Sequence, residues 1–350
     1  MIKNRRNILK FASAAAVAAL SFGLSGTSAQ AADVTLRMHQ FLPAQANVPK
    51  NVLLPWAAKV EEESEGRIAI QHFPSMQLGG KPPELIDQVI DGVADIVWTV
   101  SGYTPGRFPR AEVFELPFTM TDAEAMSKAY WDLAEESMLD QDFKDFKVIG
   151  VWVHGPGVIH SKDPITSVDD LNGVKLRAPT RVTNMLVKNL GATPVGMPVP
   201  AIPEALSKGV VDATIIPWEV VGALKVSELV ENHTMFPNEA LYTTTFIFAM
   251  NKDRYNALPD DLKAVIDANS GLEFSGFAGK QMQADDMPSY EAAKAAGNNI
   301  ITLSEEQAAE WKAAAEATTA AWTAEMDEKG LDGTGLRKRA AELIEKHSGN

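Results

Sequence analysis

"DDLNGVKLRAPTRVTNMLVKNLGATPVGMP", residues 169–198, passes from one backbone period to another and back. A turn at its start leads into a short alternation in which Val174 and Leu176 are the apolar members, the period of a strand. Arg177 closes that run, and Pro179 stops it, because a proline has no backbone N–H to offer a ladder. Thr180 is a plausible N-cap, and 180–191 carries a helical pattern. A second short strand follows over 192–198. Strand, helix and strand in this order are the unit from which parallel sheets are built.

The same rhythm extends in both directions. "VTLRMHQF" (34–41), "RIAIQHF" (67–73) and "ADIVWTV" (94–100) read as strands, separated by helical stretches at 54–66 and 82–92. "FKVIGVWVHG" (146–155) and "TTTFIFAMN" (243–251) are further strands. "IPEALSKGVVDATII" (202–216) is a helix running into one. The alternation predicts mostly parallel sheets covered by helices. Near the end, Ser304 and Gln307 stand at capping-box spacing, and an Ala-rich helix is expected over 305–329, a rod of roughly 38 Å at 1.5 Å per residue. That is long enough to lie across two lobes. The fold class read from these elements is α/β, with two lobes and a cleft between them. Ligands in such sheets bind beyond the carboxyl ends of the strands.

The first 31 residues read differently. Lys3, Arg5, Arg6 and Lys10 precede an apolar run from Phe11 to Leu24, followed by Ala29-Gln30-Ala31. This is the layout of a secretory signal peptide with cleavage after Ala31. The run is shorter than the roughly 20 residues a membrane span needs. Arg5-Arg6 partly matches a twin-arginine signal, and ordinary secretion fits as well. Cleavage there takes four of the 32 basic residues and no acidic one, leaving 28 against 46 and a net charge of −18. Such a chain is a poor partner for nucleic acid or an anionic membrane surface. There are no cysteines, which removes disulfides, thiol nucleophiles and thiolate metal sites.

Catalytic and metal motifs are not found. The six histidines (His39, His72, His154, His160, His233, His347) form no HExxH, and there is no GxSxG, Walker loop or complete GxGxxG. Acidic residues on amphipathic helices usually form solvated faces. A secreted hydrolase using cleft carboxylates stays open as the alternative from another class. No cofactor and no metal are expected.

Arg177 has two readings: a structural ion pair, or a planar fork that grips a ligand carboxylate at a strand end. Arg181, in the first turn of the helix, sits unfavourably for a cation and so calls for a partner, acidic or ligand. Trp98, Tyr103, Phe118, Trp152, Trp218 and Phe246 fall at or just after strand ends, where they could be core or pocket lining; Phe248 reads as core. Pro179, Ile216 and His39 complete the set of candidate ligand-binding residues.

Residues 169–219 also resemble a known family. Asp170-Leu171-Asn172-Gly173 with Lys175, Arg177 and Pro179, then Leu190-Gly191-Ala192 with Pro194-Val195 and Met197-Pro198, then Ala205-Leu206 with Gly209-Val210-Val211-Asp212, are similar in order and spacing to the solute-binding proteins of tripartite ATP-independent periplasmic (TRAP) transporters, the DctP-like group. Glu115–Phe118 and the opening strand fit too. The resemblance implies a periplasmic-binding-protein-like fold of two α/β lobes with a long helix bridging both. It implies a small organic acid as ligand, clamped by the arginine at position 177 without catalysis. It also implies delivery to a membrane permease of a small and a large subunit. On this basis lobe I is expected to hold 32–153 and 243–290. Lobe II is expected to hold 154–242 and 291–350, including the bridging helix.

Two departures bear on the ligand. Dicarboxylate and sialic-acid members often carry another arginine in the segment matching "VHGPGVIHS" (153–161), which here has none. Many have "GQENP" after the third element, where this chain has "ATIIP" followed by Trp218 and Glu219. Both changes remove polar recognition. A greasy pocket with one cation suits a hydrophobic or aromatic monocarboxylate, with a C4-dicarboxylate, a 2-oxo acid or a sulfonate as alternatives.

Overall fold

The computed structural model describes residues 32–349; the expected export signal lies outside them. In chain order the strands are β1 (Val34–His39), β2 (Ile68–Phe73), β3 (Ile96–Val100), β4 (Phe146–Val153), β5 (Gly157–Ser161), β6 (Lys175–Ala178), β7 (Thr193–Gly196), β8 (Ala213–Pro217), β9 (Asn232–Met235), β10 (Thr245–Asn251) and β11 (Asn299–Thr302). They form two sheets, ordered β2-β1-β3-β10-β4 and β11-β9-β5-β8-β6-β7. One strand in each sheet runs against the rest: β10 is antiparallel to β3 and β4, and β5 to β8 and β9. The expected parallel character holds for the other pairs, and the protein has a two-lobed α/β fold.

The passage from β4 to β5 takes only His154-Gly155-Pro156, and its glycines have a steric cause. A Cβ on Gly155 would lie 2.3 Å from Asp286 Oδ2, and one on Gly157 would lie 2.1 Å from the Tyr242 ring. The backbone passes too close to its neighbours for any side chain there.

β5, β9 and β11 were not legible as strands. β5 opens on Gly-Pro-Gly punctuation, and β9 reads Asn-His-Thr-Met, weak strand formers. Pairing supplies what propensity lacks, since β5 and β9 each have two neighbours. The helix Ala123–Ser137 also adds to the sequence reading.

The long helix spans Glu305–Glu328 and starts in the expected capping box: Gln307 N–H donates to Ser304 Oγ (3.2 Å) and Ser304 N–H to Gln307 Oε1 (2.9 Å). Trp311 is buried with Leu176, Leu186 and Ile215 of the second sheet's side. About three turns on, Trp322 and Met326 join the core that contains Trp98, Trp152 and Phe248 of the first sheet. One helix is thus anchored in both cores. The helix after it, Gly333–His347, packs on Ala123–Ser137, where Asp132 accepts from Lys346 (2.6 Å) and pairs with His347 (2.8 Å).

Candidate functional site

The carboxyl ends of β1, β3, β6 and β8 converge on one cavity, together with the reversed strand β10 at its first residues. Phe41 and Leu42 follow β1; Trp98 and Val100 lie in β3, with Tyr103 in the next turn; Phe246 is in β10 and Thr244 directly precedes it. The other wall is Arg177 and Pro179 at the end of β6, Ile216 and Pro217 at the end of β8, and Glu219 and Val220 in the helix Trp218–Leu224. His154 and Tyr242 come from the segments that pass between the sheets.

Arg177 is 1 % exposed and has no acidic partner among the described residues. Its Nε and Nη2 donate to the Met197 carbonyl (3.0 and 2.8 Å), and Nη1 donates to the Ile215 carbonyl (3.0 Å). A guanidinium has five N–H groups, so this clamp leaves one on each terminal nitrogen for another acceptor. Burial lowers the Arg177 pKa from its ordinary value, opposed by the nearby Tyr103 and Tyr242 hydroxyls. The Tyr103 hydroxyl is itself fixed, accepting from Val199 N–H (2.9 Å). Desolvating an uncompensated charge costs several kcal/mol, so a cation held this way can accept an anion.

The walls beside it are aromatic. Trp98 stacks on Phe41 (centroids 4.7 Å apart) and on Phe246 (5.3 Å), and Tyr103 meets Phe41 edge-on (5.7 Å). His154 packs edge-on against Tyr242 (5.3 Å). Burial pushes the His154 pKa down to about 4, with its Nδ1–H given to the Gly155 carbonyl (2.5 Å). It is therefore neutral near pH 7. Burial, then Asp286 and Asp285, push the Glu219 carboxyl well above the usual carboxylate range. Arg177 is the one lysine or arginine among the described residues lining the cavity.

Of the residues singled out in the sequence, Arg177, Trp98, Tyr103, Pro179, Ile216 and Phe246 meet at this cavity. The remaining five are placed elsewhere. Trp152 stacks behind Trp98 (6.3 Å), with its indole N–H directed at Met282 Sδ (3.0 Å). Trp218 turns away onto His160 and His233 (4.9 and 4.8 Å). His39 has both ring nitrogens engaged, Nδ1 with Gln88 Oε1 (2.8 Å) and Nε2 accepting from Leu78 N–H (3.3 Å). Arg181 has found acidic partners: Nε donates to Glu112 Oε1 (3.0 Å), Nη2 to Glu112 Oε2, and Nη1 to Glu325 Oε2 (2.5 Å). Phe118 lines a separate, larger groove of about 810 Å3 between the last two helices, against about 40 Å3 for the cavity at Arg177. Size does not select the site here; the buried cation and the convergence of strand ends do.

Phe41, His154, Glu219, Tyr242 and Thr244 were missed. Phe41 carries the strand-end signal used for the other aromatics, and Glu219 directly follows Trp218 in a segment already marked as divergent. Nothing in the local sequence marks Tyr242 or Thr244.

Comparison with known proteins agrees with this geometry. The family model described as bacterial extracellular solute-binding protein, family 7, matches residues 38–325. A solved TRAP solute-binding protein from Rhodoferax ferrireducens T118, in complex with copurified benzoate, is 50% identical, with a TM-score of 0.88, covering 90% of this chain and 98% of that one. A marine metagenome TRAP solute-binding protein described as specific for aromatic acid ligands, with co-crystallised 3-hydroxybenzoate, is 48% identical, with a TM-score of 0.88 over 91% and 99%. Among curated relatives, outer membrane transporter protein TsaT of Comamonas testosteroni is 27% identical over 93% of this chain and 94% of its own. Matched by the family model over most of its length and built on the same two-lobed scaffold, this chain belongs to family 7 of the bacterial extracellular solute-binding proteins, as a TRAP solute-binding protein.

Proposed function

We propose that the protein captures an aromatic monocarboxylate, with Arg177 pairing to the carboxylate and Trp98, Phe41, Tyr103 and Phe246 enclosing the ring. The observation that carries this reading is a single buried cation, with no acidic partner among the described residues, in an aromatic-walled cavity. A monoanion completes that charge balance. A second carboxylate would have to approach Glu219, which has acids and no cation around it, so the C4-dicarboxylate alternative fits poorly. The benzoate and 3-hydroxybenzoate complexes of the similar structures support the aromatic assignment.

The mechanism is closure of two lobes, 32–153 with 243–290 and 154–242 with 291–350, except that the last helix, packed on Ala123–Ser137, moves with the first lobe. The ligand favours the closed form by the contacts that exist only there. The chain acts in the periplasm after export, delivers its acid unchanged, and docks on a TRAP permease of small and large subunits.

Titration calorimetry of the purified protein with benzoate, phenylacetate, succinate and malate tests the ligand class. Benzoate or phenylacetate is expected to bind at least tenfold tighter than either dicarboxylate. Tighter binding of succinate or malate would overturn the assignment.

A further inference from the structure

Arg177 accounts for one end of the cavity; the chemistry at Glu219 is left over. Glu219 is 3 % exposed and lines the cavity, and its Oε2 has no hydrogen-bond partner. No ion pair involves it among the described residues. Its main chain is pinned on both sides: its N–H donates to Asp286 Oδ1 (2.8 Å), and its carbonyl accepts from Asn47 Nδ2 (2.6 Å). The side chain therefore has a fixed origin beside the cavity. It does not serve Arg177, which is clamped by Met197 and Ile215 instead.

Two more orphaned polar atoms line the same space, Trp98 Nε1 and Thr244 Oγ1. Leaving one buried polar group unsatisfied costs about 1–3 kcal/mol. A pocket built only for an unsubstituted ring would be more stable with apolar side chains at these places. Unpartnered polar atoms facing a ligand cavity are instead what a substituent on the ligand would satisfy. Such sites discriminate strongly, because a ligand lacking the substituent leaves the protein group unpaired.

Building on the aromatic-acid reading above, we infer that Glu219 is a specificity-determining residue that recognises a hydroxyl on the ring, so that the preferred ligands are hydroxy-substituted benzoates rather than benzoate itself. A carboxyl can accept the phenolic hydrogen through one oxygen. In its neutral form it can also donate to the phenolic oxygen through the other. With Asp285 and Asp286 as its acidic neighbours, a carboxylate on the ring is disfavoured where a hydroxyl is accepted.

The test is calorimetric titration of benzoate, 3-hydroxybenzoate and 4-hydroxybenzoate against the full chain and its Glu219→Gln and Glu219→Leu variants, with thermal unfolding as the folding control. For the unsubstituted chain, the better hydroxybenzoate is expected to bind at least tenfold tighter than benzoate. Glu219→Leu is expected to erase that preference while keeping benzoate within about threefold. Glu219→Gln, which still hydrogen-bonds, is expected to retain most of it. Equal affinities of benzoate and both hydroxybenzoates for the unsubstituted chain would overturn the inference and leave the aromatic-acid reading standing. So would a preference that survives intact in Glu219→Leu. Failure of all three acids to bind would overturn both.

Discussion

Gly102, in the turn after β3, and Thr180, the N-cap after β6, touch across the cleft: a Cβ on Gly102 would lie 2.5 Å from Thr180 Cγ2. The first sheet's end can approach the second only because that side chain is missing. Gly102→Ala should therefore hold the cleft ajar. Overpacking of this kind costs typically 1–3 kcal/mol, and here it falls on the closed state. Benzoate affinity should drop by about tenfold or more while the unfolding temperature without ligand stays nearly unchanged. An unaltered Kd would show that the two residues need not meet for capture.

Arg177 should be irreplaceable even by lysine. Its three bonds to Met197 and Ile215 use the planar fork, which an ammonium on a flexible stem cannot reproduce. Arg177→Ala should weaken carboxylate binding by about 2–5 kcal/mol, and Arg177→Lys should recover little of it. Calorimetry with benzoate reads both, and near-native affinity in either variant would remove the proposed anchor.

Arg181 should behave oppositely. Its partners Glu112 and Glu325 tie the first turn of the helix Arg181–Asn189 to the long helix, and Trp322 Nε1 donates to the same Glu112 (2.9 Å). Arg181→Ala should lower stability by about 1–3 kcal/mol, since the pair is only partly desolvated, yet leave benzoate affinity within about threefold. Urea unfolding and calorimetry on one preparation separate the two effects. A large binding loss with intact stability would return Arg181 to the ligand.

Stability should fall as the pH rises from acid to neutral. Burial lifts Glu115 to about 7, even though its Oε1 accepts from Thr245 N–H and Oγ1 (3.1 and 2.8 Å). An unfolded glutamate titrates near 4.3, so the folded chain keeps this proton longer. The contribution is full below the unfolded value and is lost as pH rises through the folded one, by roughly 4 kcal/mol at about 1.4 kcal/mol per unit. Asp286, raised to about 8 mainly by burial, adds in the same direction. Urea midpoints between about pH 5 and pH 8 should decline for the native chain and decline less for Glu115→Gln. Identical slopes would mean that Glu115 is ionised throughout.

Much of this architecture was legible from β–α alternation, because helix and strand periods differ and Pro179 and Thr180 punctuate the change between them. Arg177 was marked by its place at a strand end ahead of a proline, but only the family resemblance favoured a ligand over an ion pair there. The limits were physical. Strand ends mark an edge of the sheet but not the direction a side chain takes from it, so Trp98 and Trp218 looked alike. One faces the cavity and the other packs on His160 and His233. β5 and β9 depend on partners distant in the chain, which no local pattern records. Glu219 looked like any acid near a helix start, and only its burial shows that it is something else.

The manner in which Arg177 is held bears on how such receptors diversify. Main-chain carbonyls keep their position whatever side chains surround them, so the anion grip is insulated from substitutions in the walls. If Arg177 docks the acid group as proposed, substitutions at Phe41, Ile216 or Glu219 are expected to retune which body of cargo fits while the carboxylate keeps the same address.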